Sequence, residues 1–371
     1  MGLVLALSRT CAAIPFWVAA FSFACGPGKN SESRTSVSAG VAKRSEVVLI
    51  ATERSDRGGR LVGVAIDGSR QTELTELRGK VILDRSPVVS ADGQWVLFAS
   101  NRERSGLKGT NLWRVAIAGG DPVQLTFGSH VDRDPRVSPD GRWLYFCSNR
   151  GGTYDLYRAP LGADGALGAI DLVVESDGQI LSPSISPDGS EVVYMEVDTE
   201  GASRLRKSSI GEGAKVVALT EGPADMTPAW GPNGLIAFAA KVPTRSDADV
   251  YVMPEAGGER TMVLDTSVTD ETGPRWSDDG RYLFAIGMYR SAVDGKPLLG
   301  SVIVLDREEQ VPLWRALHDP SAVETRIGLG LLPGPIDANI LHQNKSYKVA
   351  LREVLTQEVL RNESRQLRGE P

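Results

Sequence analysis

The chain has little of the residue types on which most enzyme sites depend. Its 371 residues include only three cysteines and three histidines, and metal sites and nucleophilic catalysis draw mainly on these two types. The histidines stand singly, and no CxxC, HExxH, GxSxG or GxxxxGK[ST] motif occurs. We therefore predict no catalytic residue, no metal site and no cofactor.

An excess of positive charge and a long apolar run are also missing. The formal net charge is −6, whereas a nucleic-acid binder is usually basic, so we exclude nucleic acid as a partner. The apolar stretch 12–24 is shorter than the run of about 20 residues that a transmembrane helix needs. The chain is instead rich in turn formers, with 40 glycines and 21 prolines. This composition favours strands joined by tight turns over long helices.

The N-terminal segment 1–24 predicts export. Its single charge, Arg9, precedes the apolar stretch, as in a signal peptide. The stretch ends in Ser22-Phe23-Ala24-Cys25-Gly26, which resembles a bacterial lipobox with Cys25 as the lipidated residue; cleavage without lipidation is the alternative. Residues 25–45 are rich in Ser and Gly and predict a flexible tether. The resemblance implies a protein of the bacterial cell envelope, in the periplasm, whose only membrane contact is this lipid.

A repeat of about 46 residues is the strongest pattern in the chain. Five copies of a Ser-x-Asp-Gly type of turn begin at Ser90, Ser138, Ser186, Gly231 and Ser277. Each copy follows a short segment containing a proline and precedes an apolar run, and Asp-Gly or Asn-Gly between two such segments predicts a β-hairpin. Two further apolar runs complete each unit. Four strands per unit are typical of a propeller blade.

The number of units predicts an all-β, six-bladed propeller of four-stranded blades over 46–331. Residues 46–76 form a sixth unit that lacks its first strand. We expect residues 323–331 to return and supply that strand, because an open ring would expose sheet edges. In the extension 332–371, residues 346–362 predict an amphipathic helix, which either packs on the propeller or docks a partner. We expect the protein to be a monomer.

The units resemble the PD40 or TolB-like propeller repeat. They share its turn sequence and its Ser-Asn-Arg loop, which occurs here at 100–102 and 148–150. The resemblance covers about three-quarters of the chain and implies a fold rather than a function. TolB proteins carry a further α/β domain ahead of the propeller, which we do not expect here. This difference argues against transferring TolB's role in the envelope-spanning Tol system.

Blade topology brings several charged residues to one propeller face, where the first strand of each blade begins. We expect carboxylates near the mouth of the central channel, with arginines and a long last-blade loop, 288–300, beside them. The candidate partner- or ligand-binding residues are Asp84, Asp132, Asp134, Asp225, Asp270, Arg54, Arg102, Arg150, Tyr289 and Arg290. Two interpretations stay open: the carboxylates hold the loops through hydrogen bonds, or they form an acidic docking face.

Two functions are compatible with this sequence. The first is a non-enzymatic lipoprotein that binds envelope proteins or a ligand through a propeller face. The alternative is a periplasmic carbohydrate-active enzyme, a lyase or hydrolase, with its site at the channel. Lyases related to this repeat by resemblance use clustered histidines and a metal, and the sequence offers no such cluster. We therefore expect the first function.

Overall fold

The computed structural model describes residues 49–55, 58–64, 71–77, 81–103, 109–211, 213–243, 247–265, 269–290, 297–308, 311–315 and 325–331. The chain divides into the units Met1–Val41 and Ala42–Pro371, and all these residues lie in the second unit. They form strands, turns and loops without a helix, so none of them belongs to a helix able to cross a membrane. The predicted signal peptide, the tether, Cys25 and the helix at 346–362 lie outside the described residues.

The strands follow the repeat along the chain. The first seven strands and the last strand share one sheet: β1 (Leu49–Ser55), β2 (Gly58–Val64), β3 (Gln71–Glu73), β4 (Ile82–Val89), β5 (Trp95–Ser100), β6 (Asn111–Ala116), β7 (Val123–Gln124) and β24 (Thr325–Leu331). Strand β8 (Asp132–Val137) begins the next sheet. The remaining strands are β9 (Trp143–Ser148), β10 (Asp155–Pro160), β11 (Asp171–Val174), β12 (Gln179–Ile185), β13 (Glu191–Val197), β14 (Ser203–Ser209), β15 (Val216–Ala218), β16 (Asp225–Trp230), β17 (Leu235–Ala240), β18 (Asp249–Pro254), β19 (Thr261–Leu264), β20 (Thr269–Trp276), β21 (Tyr282–Arg290), β22 (Pro297–Asp306) and β23 (Val311–Arg315).

The architecture is an all-β propeller of antiparallel four-stranded blades. Strands β8 to β11, β12 to β15, β16 to β19 and β20 to β23 each form a separate four-stranded sheet. The other eight strands form a single sheet in the order β24-β1-β2-β4-β5-β6-β7, with β3 paired to β2. The described residues thus show four separate blades rather than the predicted six, because a short parallel contact between β2 and β4 joins the remaining strands.

The predicted hairpins are present, and the Ser-x-Asp-Gly turn closes four of them in the same way, at Ser90, Ser138, Ser186 and Ser277. In the β8–β9 turn, Ser138 Oγ donates to Asp140 at 2.6 Å and accepts from the Trp143 backbone N–H at 2.9 Å. Gly141 has a φ of 72°, which suits glycine. The Ser138 hydrogen bond and the Arg142 backbone N–H lower the pKa of Asp140 to about 2. The turn therefore depends on local side-chain contacts, which explains why it recurs in the sequence.

The apolar core lies between neighbouring sheets. Leu97 and Leu112 of one sheet pack with Leu144, Phe146 and Tyr157 of the next. All but Tyr157 are fully buried. Strands with an apolar residue on both faces can pack against a sheet on each side, so the blades must stack side by side to bury both faces.

The first strand of each blade lies innermost. These inner strands contact one another in the order β4, β8, β12, β16, β20 and β24, and β24 in turn contacts β4. Strand β24 falls within the segment expected to return to the first unit, and it pairs antiparallel with β1 from Leu49↔Leu331 to Arg54↔Thr325. The order of contacts is therefore circular, and it encloses a central channel.

The predicted long loop 288–300 is wrong at both of its ends. Strand β21 continues to Arg290 and β22 begins at Pro297, with Met288 opposite Gly300 and Tyr289 opposite Leu299. The sequence MYR and PLLG supports extended pairing, because apolar and aromatic residues fit a half-buried pleated surface. The insertion therefore lengthens a hairpin.

Candidate functional site: an arginine-rich face and the central channel

The four aspartates that open the inner strands are buried. Asp84, Asp132, Asp225 and Asp270 are at most 3% exposed. A carboxylate removed from water is costly unless it is paired and hydrogen-bonded. The partners of each carboxylate therefore decide what this face presents to solvent.

Asp84 and Asp132 each hold an arginine of the predicted Ser-Asn-Arg loop. Arg102 donates to both oxygens of Asp84, with Nε at 3.1 Å, and Thr75 Oγ1 adds a donor at 2.7 Å. Arg150 donates to Asp132 at 3.0 Å, while His130 Nε2 lies 3.4 Å from the other Asp132 oxygen. The repeated Asp and Arg therefore form an ion pair that fixes the loop in space.

Asp225 and Asp270 pair with cations that are not part of the repeat. Arg260 donates to Asp225 at 3.1 Å, and the Ala248 backbone N–H donates to Asp270 at 2.9 Å, with Lys241 at 3.6 Å. Arg260 and Lys241 are 40% and 39% exposed, whereas both carboxylates are almost fully covered. At Asp225 and Asp270 it is thus the cation, not the carboxylate, that reaches solvent, whereas Arg102 and Arg150 are 10% and 20% exposed.

Asp134 occupies a different position, within its strand instead of at the start. Its carboxylate accepts from Ser86 Oγ at 3.0 Å, from the Ser182 backbone N–H at 3.2 Å and from Arg133 Nε at 3.1 Å. Burial alone would raise the pKa of Asp134, but Arg133, Arg136 and these hydrogen bonds outweigh burial and lower it. Asp134 is therefore ionised at neutral pH and ties β8 to both neighbouring inner strands.

Three further candidates are placed by their backbone alone. Arg54 lies in β1, opposite Gly59 of β2. Tyr289 and Arg290 lie at the end of β21, opposite Thr269 and Pro297 respectively. Their side chains lie outside the described part of the structure.

The sequence analysis missed two exposed apolar side chains on the face where the inner strands begin. Phe127, in the connection from β7 to β8, is 68% exposed, and Val81, directly before β4, is 53% exposed. Asn101 Nδ2 donates to the Val81 carbonyl at 3.1 Å, which places Val81 beside the Arg102 loop. We call Val81, Arg102, Phe127, His130 and Arg150 the basic–aromatic face. An apolar residue within the polar sequence TFGSH was the available signal for Phe127.

A backbone distortion in the inner strands was also missed. In the described part of the chain, every non-glycine residue with positive φ directly precedes the repeated proline: Ser86, Asp134, Ser182 and Thr227, with φ of 52°, 52°, 49° and 48°. Gly273 holds the same position with φ of 61°. Each is a β-bulge where the pairing with the second strand shifts register. Such strain is uncommon outside glycine, and it re-aims the side chains that follow.

Two other groups of side chains are of types that serve in metal sites or catalysis. Asp247, Asp249 and Asp265 offer carboxylate oxygens within 4.8 Å of one another, but each also has another interaction within the chain. Cys147 is fully buried, and burial raises the pKa of its thiol well above the usual value. Neither group has the features of a catalytic centre.

Comparisons with known proteins identify the fold. No family model and no curated protein matches the chain. A protein assigned as TolB from Agrobacterium tumefaciens superposes with a TM-score of 0.54 and 18% identity, over 78% of this chain and 99% of that one. TolB from Acinetobacter baumannii gives 0.58 and 17%, over 78% and 67%. Hydrazine synthase from Kuenenia stuttgartiensis gives 0.58 and 12%, over 78% and 47%. The chain has a TolB-like β-propeller, and identities this low show the fold alone.

Proposed function

We propose that this protein is a non-enzymatic scaffold of the bacterial cell envelope that binds a partner protein through the basic–aromatic face. The observation that carries this proposal is the placement of exposed Phe127 on the same propeller face as arginines that buried carboxylates hold in position. Aromatic and arginine side chains supply most of the binding energy at protein interfaces. Arginines that are already fixed lose little conformational freedom on binding.

The charge of this face supports an acidic partner surface. Arg102 and Arg150 keep 10% and 20% of their side chains exposed, whereas the carboxylates of Asp84 and Asp132 are fully buried. The chain as a whole carries a net charge of −6, so a local basic face would orient an acidic partner toward this end of the propeller. The candidate aspartates then act indirectly, by positioning the arginines.

The location follows from the sequence of the N-terminal segment. We propose export through 1–24, lipid attachment at Cys25 and a flexible tether over 25–45. A Cys25→Ala variant should move from the membrane fraction to the soluble periplasmic fraction, and a Cys11→Ala variant should not. Unchanged fractionation of Cys25→Ala would contradict lipidation without affecting the proposed binding face.

We also propose that the eight-stranded sheet works as two blades, which gives six in total. Among the described residues, strand pairing joins its two halves only at Gly58↔Ile82 and Gly59↔Leu83, whereas strands within each half pair along their lengths. Gly58 has a φ of 128°, and a Cβ there would collide with the Ile82 carbonyl. The junction therefore depends on glycine and is a local contact between blades.

The binding face is tested by cross-linking from Phe127. A photo-reactive phenylalanine analogue replaces Phe127 in the full-length protein, expressed in its native host. Leu172, 49% exposed on the outer strand β11, receives the same analogue as the matched control. We expect a discrete cross-linked partner from position 127 and none from position 172.

A second variant links the cross-link to the arginines. Arg150→Ala in the Phe127 cross-linking background should reduce the adduct, because it removes a cation of the same face. Equal amounts of adduct from positions 127 and 172 would contradict the proposed face. An amount of adduct that Arg150→Ala does not change would contradict it as well. Circular dichroism of each variant separates loss of binding from loss of fold.

A further inference from the structure

An apolar groove lies between the blade β16 to β19 and the blade β20 to β23. Its volume is about 650 Å³, and its walls include Leu235, Val252 and Val263 of the first blade and Leu305 of the second. Leu235 and Val263 pack against the core cluster that contains Val252 and Leu305. The groove is therefore the open margin of the apolar core between these two blades.

The groove exposes apolar surface to solvent. Met262, on the outer strand β19, lines it and is 43% exposed, whereas Met253 and Leu305 lie deeper and are at most 5% exposed. Methionine side chains are unbranched and polarizable, so they adapt to the shape of an apolar partner. An apolar segment that covers this surface would remove it from water, which is favourable.

Two charged residues, Glu259 and Arg307, also line the groove. Arg307 Cζ lies 5.2 Å from the centroid of the Trp276 ring, and Arg307 forms no ion pair with a described residue. A guanidinium at the margin of an apolar groove favours an occupant that places a carboxylate next to apolar side chains.

Residues 346–362 have a sequence of this kind. Their apolar residues recur at helical spacing, at Tyr347, Ala350, Leu351, Val354 and Leu355. This spacing predicts one apolar face on a helix. Glu358 follows Val354 by four residues and therefore falls on the same face. The predicted helix thus combines an apolar stripe with a carboxylate at its C-terminal end.

The chain leaves the propeller on the face where the groove lies. Inner strands begin on the basic–aromatic face, so Leu331, the last residue of β24, lies at the opposite face, where the turns between first and second strands are. Leu235 directly follows one of these turns and lies opposite Pro254. Leu305 lies opposite Leu283, which follows the next such turn. The groove and the end of β24 therefore share one face.

The connecting residues 332–345 are long enough to reach the groove. Fully extended, they span at most about 46 to 50 Å. Neighbouring strands lie about 4.8 Å apart and packed sheets about 10 Å apart. The path from the inner strand β24 past one blade to the outer strands at the groove is therefore about 35 Å, which is within the reach of this connection.

We propose that residues 346–362 dock as an amphipathic helix into this groove. The apolar stripe covers Leu235, Val252 and Met262, and Glu358 pairs with Arg307. The C-terminal segment then completes the core between the last two blades of the repeat. The basic–aromatic face lies at the other end of the inner strands, so this docking leaves it open to a partner.

Intramolecular cross-linking from Met262 tests this docking. A photo-reactive phenylalanine analogue replaces Met262 in the full-length protein, and mass spectrometry of the monomeric product identifies the cross-linked peptides. Val216, 48% exposed on the outer strand β15, receives the same analogue as the matched control. We expect adducts to residues 346–362 from position 262 and none from position 216.

Two variants of the segment test which side of the helix docks. Leu351→Asp places a charge in the apolar stripe and should reduce the adduct by about 10-fold, the factor expected when one buried leucine loses its apolar surroundings. Val349→Asp changes an apolar residue on the opposite side of the predicted helix and should leave the adduct unchanged.

Reversing two charges tests the ion pair. Glu358→Arg and Arg307→Glu should each reduce the adduct by up to about fivefold, as expected for a partly exposed ion pair. The double variant restores the pair with its charges exchanged and should recover the adduct. This arm still decides the question if Leu351→Asp fails to fold.

Several outcomes would overturn the docking. An adduct from position 262 to a second copy of the chain or to another protein would assign the groove to that occupant. The absence of any adduct to residues 346–362, or equal losses in Leu351→Asp and Val349→Asp, would also contradict it. Cross-linking of a partner from Phe127 should persist in Leu351→Asp, so failure of this proposal is distinguishable from failure of the proposed function.

Discussion

Charged side chains are paired differently at the start and in the middle of the inner strands. At the start, Asp84 and Asp132 are fully buried and each is matched by an arginine of the repeat. In the middle, Arg136 and Arg275 follow the repeated proline, and each donates to the carbonyl of that proline at 2.7 Å. The first arrangement follows the repeat, and the second departs from it.

This difference separates structural charges from candidate functional ones. A repeated ion pair holds a loop against its inner strand in each of two successive units. The cations Arg136 and Arg275 have no such repeated carboxylate, and burial lowers the pKa of both. The repeated carboxylates are therefore structural, and the arginines that they hold keep the role on the binding face proposed above.

Removing a repeated carboxylate should give the largest effect. Asp84→Ala leaves Arg102, only 10% exposed, beside a cavity without its partner, and breaking a buried ion pair costs about 3 to 5 kcal/mol. Urea unfolding measures this loss. Asp164→Ala, at an exposed site that accepts a local backbone hydrogen bond, should change stability by less than about 0.5 kcal/mol. Equal losses in the two variants would contradict the structural role of Asp84.

Neutralising Asp134 should give a smaller, pH-dependent effect. Its folded pKa lies below the usual value, so its contribution is present above pH about 4 and disappears as the pH falls through the folded pKa. Asp134→Asn should thus cost about 1 to 3 kcal/mol near pH 6. Unfolding curves of both proteins from pH 6 to pH 2 should converge toward the acid end. A constant difference would show that the charge of Asp134 is not responsible.

Deleting a turn hydroxyl should cost less again. Ser138→Ala removes the donor to Asp140 and the acceptor for the Trp143 N–H, and each hydrogen bond contributes about 1 kcal/mol. We expect a loss of about 1 to 2 kcal/mol in chemical unfolding. Ser190→Ala also removes a hydrogen bond to a turn aspartate, but at an exposed site. If Ser190→Ala lowers the free energy of unfolding as much as Ser138→Ala does, the hydrogen bond to the Trp143 N–H contributes little to stability.

Removing Arg275 should have the smallest effect on stability, and the effect should have the opposite sign. Burial and the Arg136 charge lower the pKa of Arg275, so its charged form opposes folding. Arg275→Met keeps an unbranched side chain and should leave stability within about 0.5 kcal/mol of wild type or raise it slightly. Thermal unfolding measures this difference. A loss comparable to that of Asp84→Ala would assign Arg275 a structural role.

The sequence predicts the propeller well because the determinants of its hairpins are local. The all-β propeller with four-stranded blades is confirmed, since Ser138, Asp140 and Gly141 define a turn within a few residues. Separation of the blades is less predictable, because the joining of β2 to β4 depends on a close approach at Gly58. The loop 288–300 was mispredicted because MYR and PLLG extend a hairpin instead of ending it.

The candidate site was predictable in its residues but not in their exposure. Sequence reasoning identified Asp84 and Asp132 together with Arg102 and Arg150, but both interpretations of the carboxylates remained open. Which member of an ion pair faces solvent depends on packing around the inner strands, and no sequence motif indicates this exposure. The positive φ of the residue before the repeated proline was also missed, because nothing in the chemistry of Ser86, Ser182 or Thr227 favours that conformation.

The pairing of β1 with β24 also affects how the molecule responds to force. Leu49 lies opposite Leu331, so the chain enters and leaves this sheet side by side at the same end. Tension applied between residues 48 and 332 would act perpendicular to the two strands and separate their hydrogen bonds one after another, as in unzipping. The propeller is therefore mechanically weakest at this seam, and stretching in an optical trap should open it at low force before any other blade unfolds.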